Sequence, residues 1–345
     1  MVICECLLFI FTVVSLCCSI LTDVRTGKVK NQLIIIAGTI AIIINTLYLI
    51  LFASEYTYAY LLNILLTVAL AYVLFFVGLW GAGDSKLLIL MSVCMPGRLF
   101  CKDGLTSFPG FILIAIIFAC SFIILLVETL IKSIKQNRKL HLQQLDMASL
   151  SVQIKRALTS LFVVGVINGI FVLLQSKQQI HMSQSLVFAI DFVTILFLNN
   201  QQKQPSNVFL TVAGCIFIGI TIANGMNISW SILLVSFLAI ILMYFIQSLA
   251  GQDNYSSIPA VDIRPGMILT SSSVSRFVGS KIQGLPNYST GDMRSKLTAS
   301  EADAICLWGK MHPEEKSLSI IRKIPFVVFI ALGTLILWGL EVANL

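Results

Sequence analysis

Long apolar runs separated by short polar segments dominate the chain. Residues 3–22, 32–53, 58–79, 110–131, 158–175, 207–223, 228–249 and 324–343 carry few charges. Each run is close to the roughly 20 residues that a helix needs to cross the hydrocarbon of a bilayer. Two weaker runs join them: 85–100 is short and contains Pro96 and Gly97, and 184–199 has Asp191 near its middle. Both are expected to be tilted, re-entrant or enclosed by other helices. The pattern predicts an all-α polytopic membrane protein of about ten transmembrane helices.

The one sizeable polar block, 250–323, has turn chemistry at "RPGM" and "LPNYSTGD". Thr298 and Glu301 have the spacing of a capping box ahead of the helical stretch "ADAICLWGKM". A small mixed α/β domain is expected there. The chain therefore divides into a six-span unit over 1–175, additional helices over 176–249, the small domain over 250–323 and a C-terminal helix over 324–345.

Composition supports this picture. Only 11% of residues are charged and 57% are hydrophobic, against about one quarter charged in soluble proteins. The net charge of +7 matters here by its location. Threading the ten runs alternately puts 20 of the 23 Lys and Arg residues on one side. By the positive-inside rule that side is cytoplasmic, which leaves both termini outside a multi-pass cell-membrane protein. A nucleic-acid partner is not indicated; the lipid bilayer is. The first run lacks a basic leader and carries Glu5, so it reads as a retained helix. Nine cysteines with no CxxC pair, and His141, His181 and His312 each standing singly, point to no metal centre, and no cofactor is expected.

Two carboxylates stand out. Asp23 ends the first run in "ILTDVRTGKVKN", and Asp84 precedes the 85–100 run in "GAGDSKLL". Alternate threading puts both on the cytoplasmic face at similar depth. Two carboxylates within a few Å hold one proton between them, so that one activates water while the other protonates a carbonyl or leaving amine. By itself "GAGD" reads equally as a helix cap and the first stretch as an ordinary basic loop; the pair on one face changes that balance. Gly81 and Gly83 are expected to permit positive φ and close approach of a substrate strand. Lys86 is expected to neutralise a carboxylate or to reach the headgroups.

These residues resemble the motifs of the type IV prepilin and archaeal preflagellin peptidases, the GxGD membrane aspartic proteases. The first motif corresponds to Asp23, Arg25, Val29 and Asn31, with Lys30 where many relatives have proline; GxGDxKL corresponds to Gly81, Gly83, Asp84, Lys86 and Leu87. The resemblance covers 1 to about 175, roughly half the chain. It implies that Asp23 and Asp84 are the catalytic pair and that Gly81, Gly83, Lys86, Arg25 and Asn31 form the surrounding loop and substrate approach. It further implies pilin-like or flagellin-like precursors as partners, cut after a short basic leader where the chain leaves the membrane in extended form. The CxxC pairs of the large bacterial members are missing, so methylation of the new amino terminus is not implied.

Asp191 has two readings: a site of its own, or a protonated side chain bonded to Asn168 or Gln247. Two rival functions follow. A presenilin or signal-peptide-peptidase kind of protease also uses GxGD, but pairs it with Tyr-Asp, whereas Asp23 follows threonine. A transporter using Asp191 and the broken segment at Pro96 would show two related halves, and no internal repeat is apparent.

Overall fold

The computed structural model describes residues 1–26, 29–100, 108–135, 147–178, 184–200, 206–223, 255–280, 282–289, 295–312, 317–321 and 326–343. The described part is mostly helical. In chain order the helices are α1 (Val2–Thr26), α2 (Asn31–Phe52), α3 (Thr57–Phe76), α4 (Ala82–Cys94), α5 (Gly97–Phe100), α6 (Pro109–Lys135), α7 (Met147–Gln178), α8 (Gln184–Asn200) and α9 (Asn207–Ala223), with a C-terminal helix over Phe326–Ala343.

Among the described residues four stretches are long and apolar enough to cross a membrane: Val2–Arg25, Asn31–Phe52, Ser54–Phe76 and Ile154–Gln175. Pro109–Leu125, Ser185–Leu198, Asn207–Ala223 and Phe326–Val342 are shorter apolar helices. The expected count of ten is thus not confirmed among the described residues. The 85–100 run is divided at Met95–Pro96 into α4 and α5, and 228–249 lies outside the described residues.

Helix α4 is the centre of the bundle, packed on α1, α2, α3 and the C-terminal helix. Its residues Leu87, Leu88 and Leu90–Cys94 are all buried, which explains how a 13-residue helix stands in an apolar setting: protein covers its ends. Pro96 has no N–H to continue the helical ladder. The carbonyl of Val93 instead accepts from Asn45 Nδ2 at 2.6 Å and from the Tyr60 hydroxyl at 2.8 Å. The start of α6 is satisfied in the same way. Asn63 Oδ1 accepts from Gly110 N at 2.9 Å while Asn63 Nδ2 donates to Ser92 Oγ at 3.1 Å. The buried polar residues therefore join α2, α3, α4 and α6 where helix ends leave backbone groups without partners.

The C-terminal helix, set apart in the sequence reading, lies in the same core as α1, α4 and α6. Phe326 at its start meets Trp80 at 5.0 Å with the rings tilted, and Trp338 near its end meets Phe9 at 5.2 Å and Phe100 at 5.1 Å. It is therefore parallel to α4.

The small domain has its own hydrophobic core, which includes Ile263, Leu269, Phe277, Ile305, Trp308 and Leu318. Its antiparallel sheet has the order β1-β3-β2, from β1 (Tyr255–Ile258), β2 (Ile268–Leu269) and β3 (Leu318–Ile321). The expected capping box is present: Thr298 Oγ1 accepts from Glu301 N, and Glu301 Oε2 accepts from Thr298 N at 2.8 Å, at the head of the Ala299–Met311 helix. In "RPGM", Gly266 turns the chain with φ of 86°, a conformation that side chains with a Cβ rarely adopt.

Candidate functional site

Asp23 lies in the last turn of α1, half-buried, and Asp84 is the third residue of α4, also half-buried. Their relation follows from how α1 and α4 pair. Cys94 at the end of α4 lies beside the Thr12 side chain in the middle of α1. Beyond them, Arg98 in α5 grips Glu5 in the first turn of α1. The two helices are therefore antiparallel, with the end of α1 beside the start of α4.

From the Thr12–Cys94 contact, Asp23 lies 11 residues along α1 and Asp84 lies 10 residues back along α4. At about 1.5 Å of rise per residue those intervals are about 16 and 15 Å, so the two carboxylates stand at nearly equal depth. Eleven residues is close to three whole turns, which returns Asp23 to the face of α1 that carries Thr12. The same face buries Leu8, Ser15, Leu16 and Ser19.

The loops of the two motifs are in direct contact. Lys86 Nζ donates to Asn31 Oδ1 at 3.0 Å. A Cβ placed on Gly83 would lie 3.8 Å from the Val29 side chain. The sequence-distant elements 29–31 and 81–86 thus meet, while Arg25 is exposed at the end of α1.

Several expectations are corrected here. Neither Gly81 nor Gly83 has positive φ: Gly81 has φ of −75° as the residue capping α4, and Gly83 is helical. What Gly81 supplies is proximity. Its N–H donates to Asp84 Oδ2 at 3.1 Å, and a Cβ there would stand 3.0 Å from that same oxygen. The positive-φ glycine ahead of this motif is Gly78, with φ of 83°. It ends α3, with Gly78 N bonded to Phe75 O and Leu79 N to Leu74 O, the Schellman arrangement. Lys86 bonds Asn31 and so ties the two motif loops together. Asp84 does cap its helix, as the simpler reading of "GAGD" had it. Capping also fixes the carboxyl group at the positive end of the α4 dipole, where an ionised carboxylate is favoured.

Lys30 has φ of −70° and ψ of 128°, within the range that proline imposes. Replacing Lys30 with proline is therefore expected to leave the fold intact and to raise stability by up to about 1 kcal/mol, through the lost freedom of the unfolded chain. Thermal unfolding in detergent reads this directly; a clear drop would show that the lysine side chain has a role the backbone does not reveal.

The small domain is held near this end of the bundle by chain length. Only four residues separate Ile321 of β3 from Phe326, which packs on Trp80, the neighbour of Gly81. At about 3.6 Å per residue, β3 ends no more than roughly 18 Å from Phe326.

Asp191 is buried between α7 and α8, and its Oδ2 accepts from Asn168 Nδ2 at 3.0 Å. Of the two partners considered, Asn168 is the one observed; Gln247 lies outside the described residues. Among the described residues no group of three His, Cys, Asp or Glu side chains is placed to hold a metal ion. Sequence reasoning missed the Glu5–Arg98 pair, although opposite lone charges in two apolar runs were the available signal. No protein-family model, curated protein or solved structure matches the chain.

Proposed function

We propose that this protein is a membrane aspartic endopeptidase that removes the short basic leader from pilin-like or flagellin-like precursors. What supports the reading is the antiparallel run of α1 and α4, which by helical rise brings Asp23 and Asp84 to similar depth, together with the Lys86–Asn31 contact between the two motifs. In this reading the ionised member takes a proton from water as its oxygen attacks the scissile carbonyl carbon. The protonated member donates to the carbonyl oxygen, and the proton held by its partner passes to the leaving amine as the C–N bond breaks.

An amide inside a helix is shielded by its own hydrogen-bonded ladder, so cleavage falls where the precursor leaves its apolar helix. The proposal includes a ten-span, multi-pass arrangement in the cell membrane, with the aspartates facing the cytoplasm, no metal or other cofactor, and both termini outside.

The test is expression of the chain with a precursor that carries a basic leader, a glycine and a hydrophobic helix, followed by mass determination of the product. Loss of the leader is expected; an uncut precursor in the presence of folded protein would refute the assignment. Asp191→Asn is expected to retain at least about half of the wild-type rate, since an amide can still pair with Asn168. A collapse of cleavage in that variant, with the protein still folded, would instead favour a reading centred on Asp191.

A further inference from the structure

At the end of the bundle opposite Asp23 and Asp84, three helices meet at one carboxylate. Arg98 Nε donates to Glu5 Oε1 at 2.9 Å and its Nη2 to Glu5 Oε2 at 3.0 Å, a two-pronged fork; the Tyr48 hydroxyl donates to Oε1 at 2.8 Å. Glu5 is 6% exposed and Tyr48 0%. The Arg98 side chain, 28% exposed, keeps part of its guanidinium at the surface.

Burying such a pair is a poor way to gain stability. The desolvation cost of two charges commonly matches their attraction, and apolar replacements of similar volume are often as stable. What a fork supplies that leucines do not is a single register. Leu8 and Leu16 of α1 and Leu87 and Met91 of α4 belong to one buried apolar cluster, side chains that tolerate repacking. A slip of one residue shifts a helix by about 1.5 Å and turns it by about 100°, which would break both prongs.

The surroundings concentrate that constraint on α4. Its last turn is held through Val93 O by Asn45 and Tyr60, and Gly97 fits between Leu49 and Tyr56, where a Cβ would lie 3.2 Å from each. From this grip α4 runs as one uninterrupted helix to Asp84 at its other end.

We propose that Glu5, Tyr48 and Arg98 are positioning residues: they set the axial register and rotation of α4 against α1, and so the separation of Asp84 from Asp23 at the far end. This inference rests on the aspartic protease reading for its consequence, and on the geometry alone for its mechanism.

The test compares four variants by steady-state cleavage and by the distance between spin labels at the exposed positions Val24 and Ala82, on a cysteine-free background. Glu5→Gln and Arg98→Gln are each expected to lower kcat about 10- to 100-fold, the effect of roughly 1 Å of misplacement. KM should stay within about twofold, because substrate binding is untouched. Both should broaden the label distance. The double variant Glu5→Gln/Arg98→Gln leaves no unpaired buried charge and should fold, yet remain slow with a broadened distance. The swap Glu5→Arg/Arg98→Glu, which rebuilds the fork in reverse, should recover most of the wild-type kcat and a narrow distance.

A folded double variant with wild-type kcat and distance would overturn the proposal, as would single variants whose loss tracks loss of folded protein and is not recovered by the swap. The distance measurement needs no substrate. If the wild-type chain cuts nothing, the protease reading falls, while a broadened distance in the loosened variants still upholds the positioning role and an unchanged one removes it.

Discussion

Asp23→Asn and Asp84→Asn are each expected to reduce precursor cleavage by at least about 10³-fold, because each removes one of the two groups that move protons in the reaction. Asparagine is the informative replacement. It keeps the size of the side chain and, at position 84, an oxygen able to accept the Gly81 N–H bond seen at 3.1 Å. Helix α4 should therefore start where it does now. Asp84→Ala would also lose this cap, a cost of about 1 kcal/mol to folding, and would confuse chemistry with stability. The measurement is the initial rate of leader removal at matched amounts of folded enzyme. Near wild-type cleavage by either asparagine variant would end the assignment, since no acid–base pair would then remain.

The second large effect concerns the fold. Asn63→Ala is expected to destabilise the protein by about 1–3 kcal/mol, since the buried Gly110 amide loses its partner. Asn63 Oδ1 holds Gly110 N at the start of α6, and Asn63 Nδ2 holds Ser92 Oγ in α4. Ser92 keeps its contact with Thr67 Oγ1 at 3.3 Å, so the cost falls chiefly on the Gly110 amide. Little room exists for repair by a larger residue, because a Cβ on Gly110 would run into Thr67 Oγ1. A thermal or denaturant melt of the purified protein reads the loss. A change under about 0.5 kcal/mol would mean that water reaches the site and replaces the amide.

Asp23, Asp84 and Asn63 mark how much of the molecule was legible in its sequence. The apolar runs located most helices because lipid and protein interior both demand apolar side chains along a hydrogen-bonded backbone. Thus α2, predicted over 32–53, is observed over Asn31–Phe52, and α9, predicted over 207–223, over Asn207–Ala223. The capping box at Thr298 and the turn at Gly266 were equally plain, since both are rules about neighbours in the chain. Asp23 and Asp84 could be named as candidates because each is a carboxylate at the edge of an apolar run.

What the sequence could not supply depends on residues far apart. Hydropathy treats 85–100 as a weak span; tertiary packing makes it the buried central helix α4, with a break at Pro96 whose orphaned carbonyl is satisfied by Asn45 and Tyr60. Nothing local to residue 5 or residue 98 announces that they form one fork, 93 positions apart. Gly81 was read by conformational freedom, a property of the single residue, whereas its use here is space for the Asp84 carboxyl. The sequence by itself determined which segments are apolar helices and which side chains bear chemistry, because those follow from local composition and period. Only the tertiary structure decided that α1 and α4 run antiparallel in a register that puts Asp23 and Asp84 at one depth. That register is set by a few long-range polar contacts, and no period in the chain encodes them.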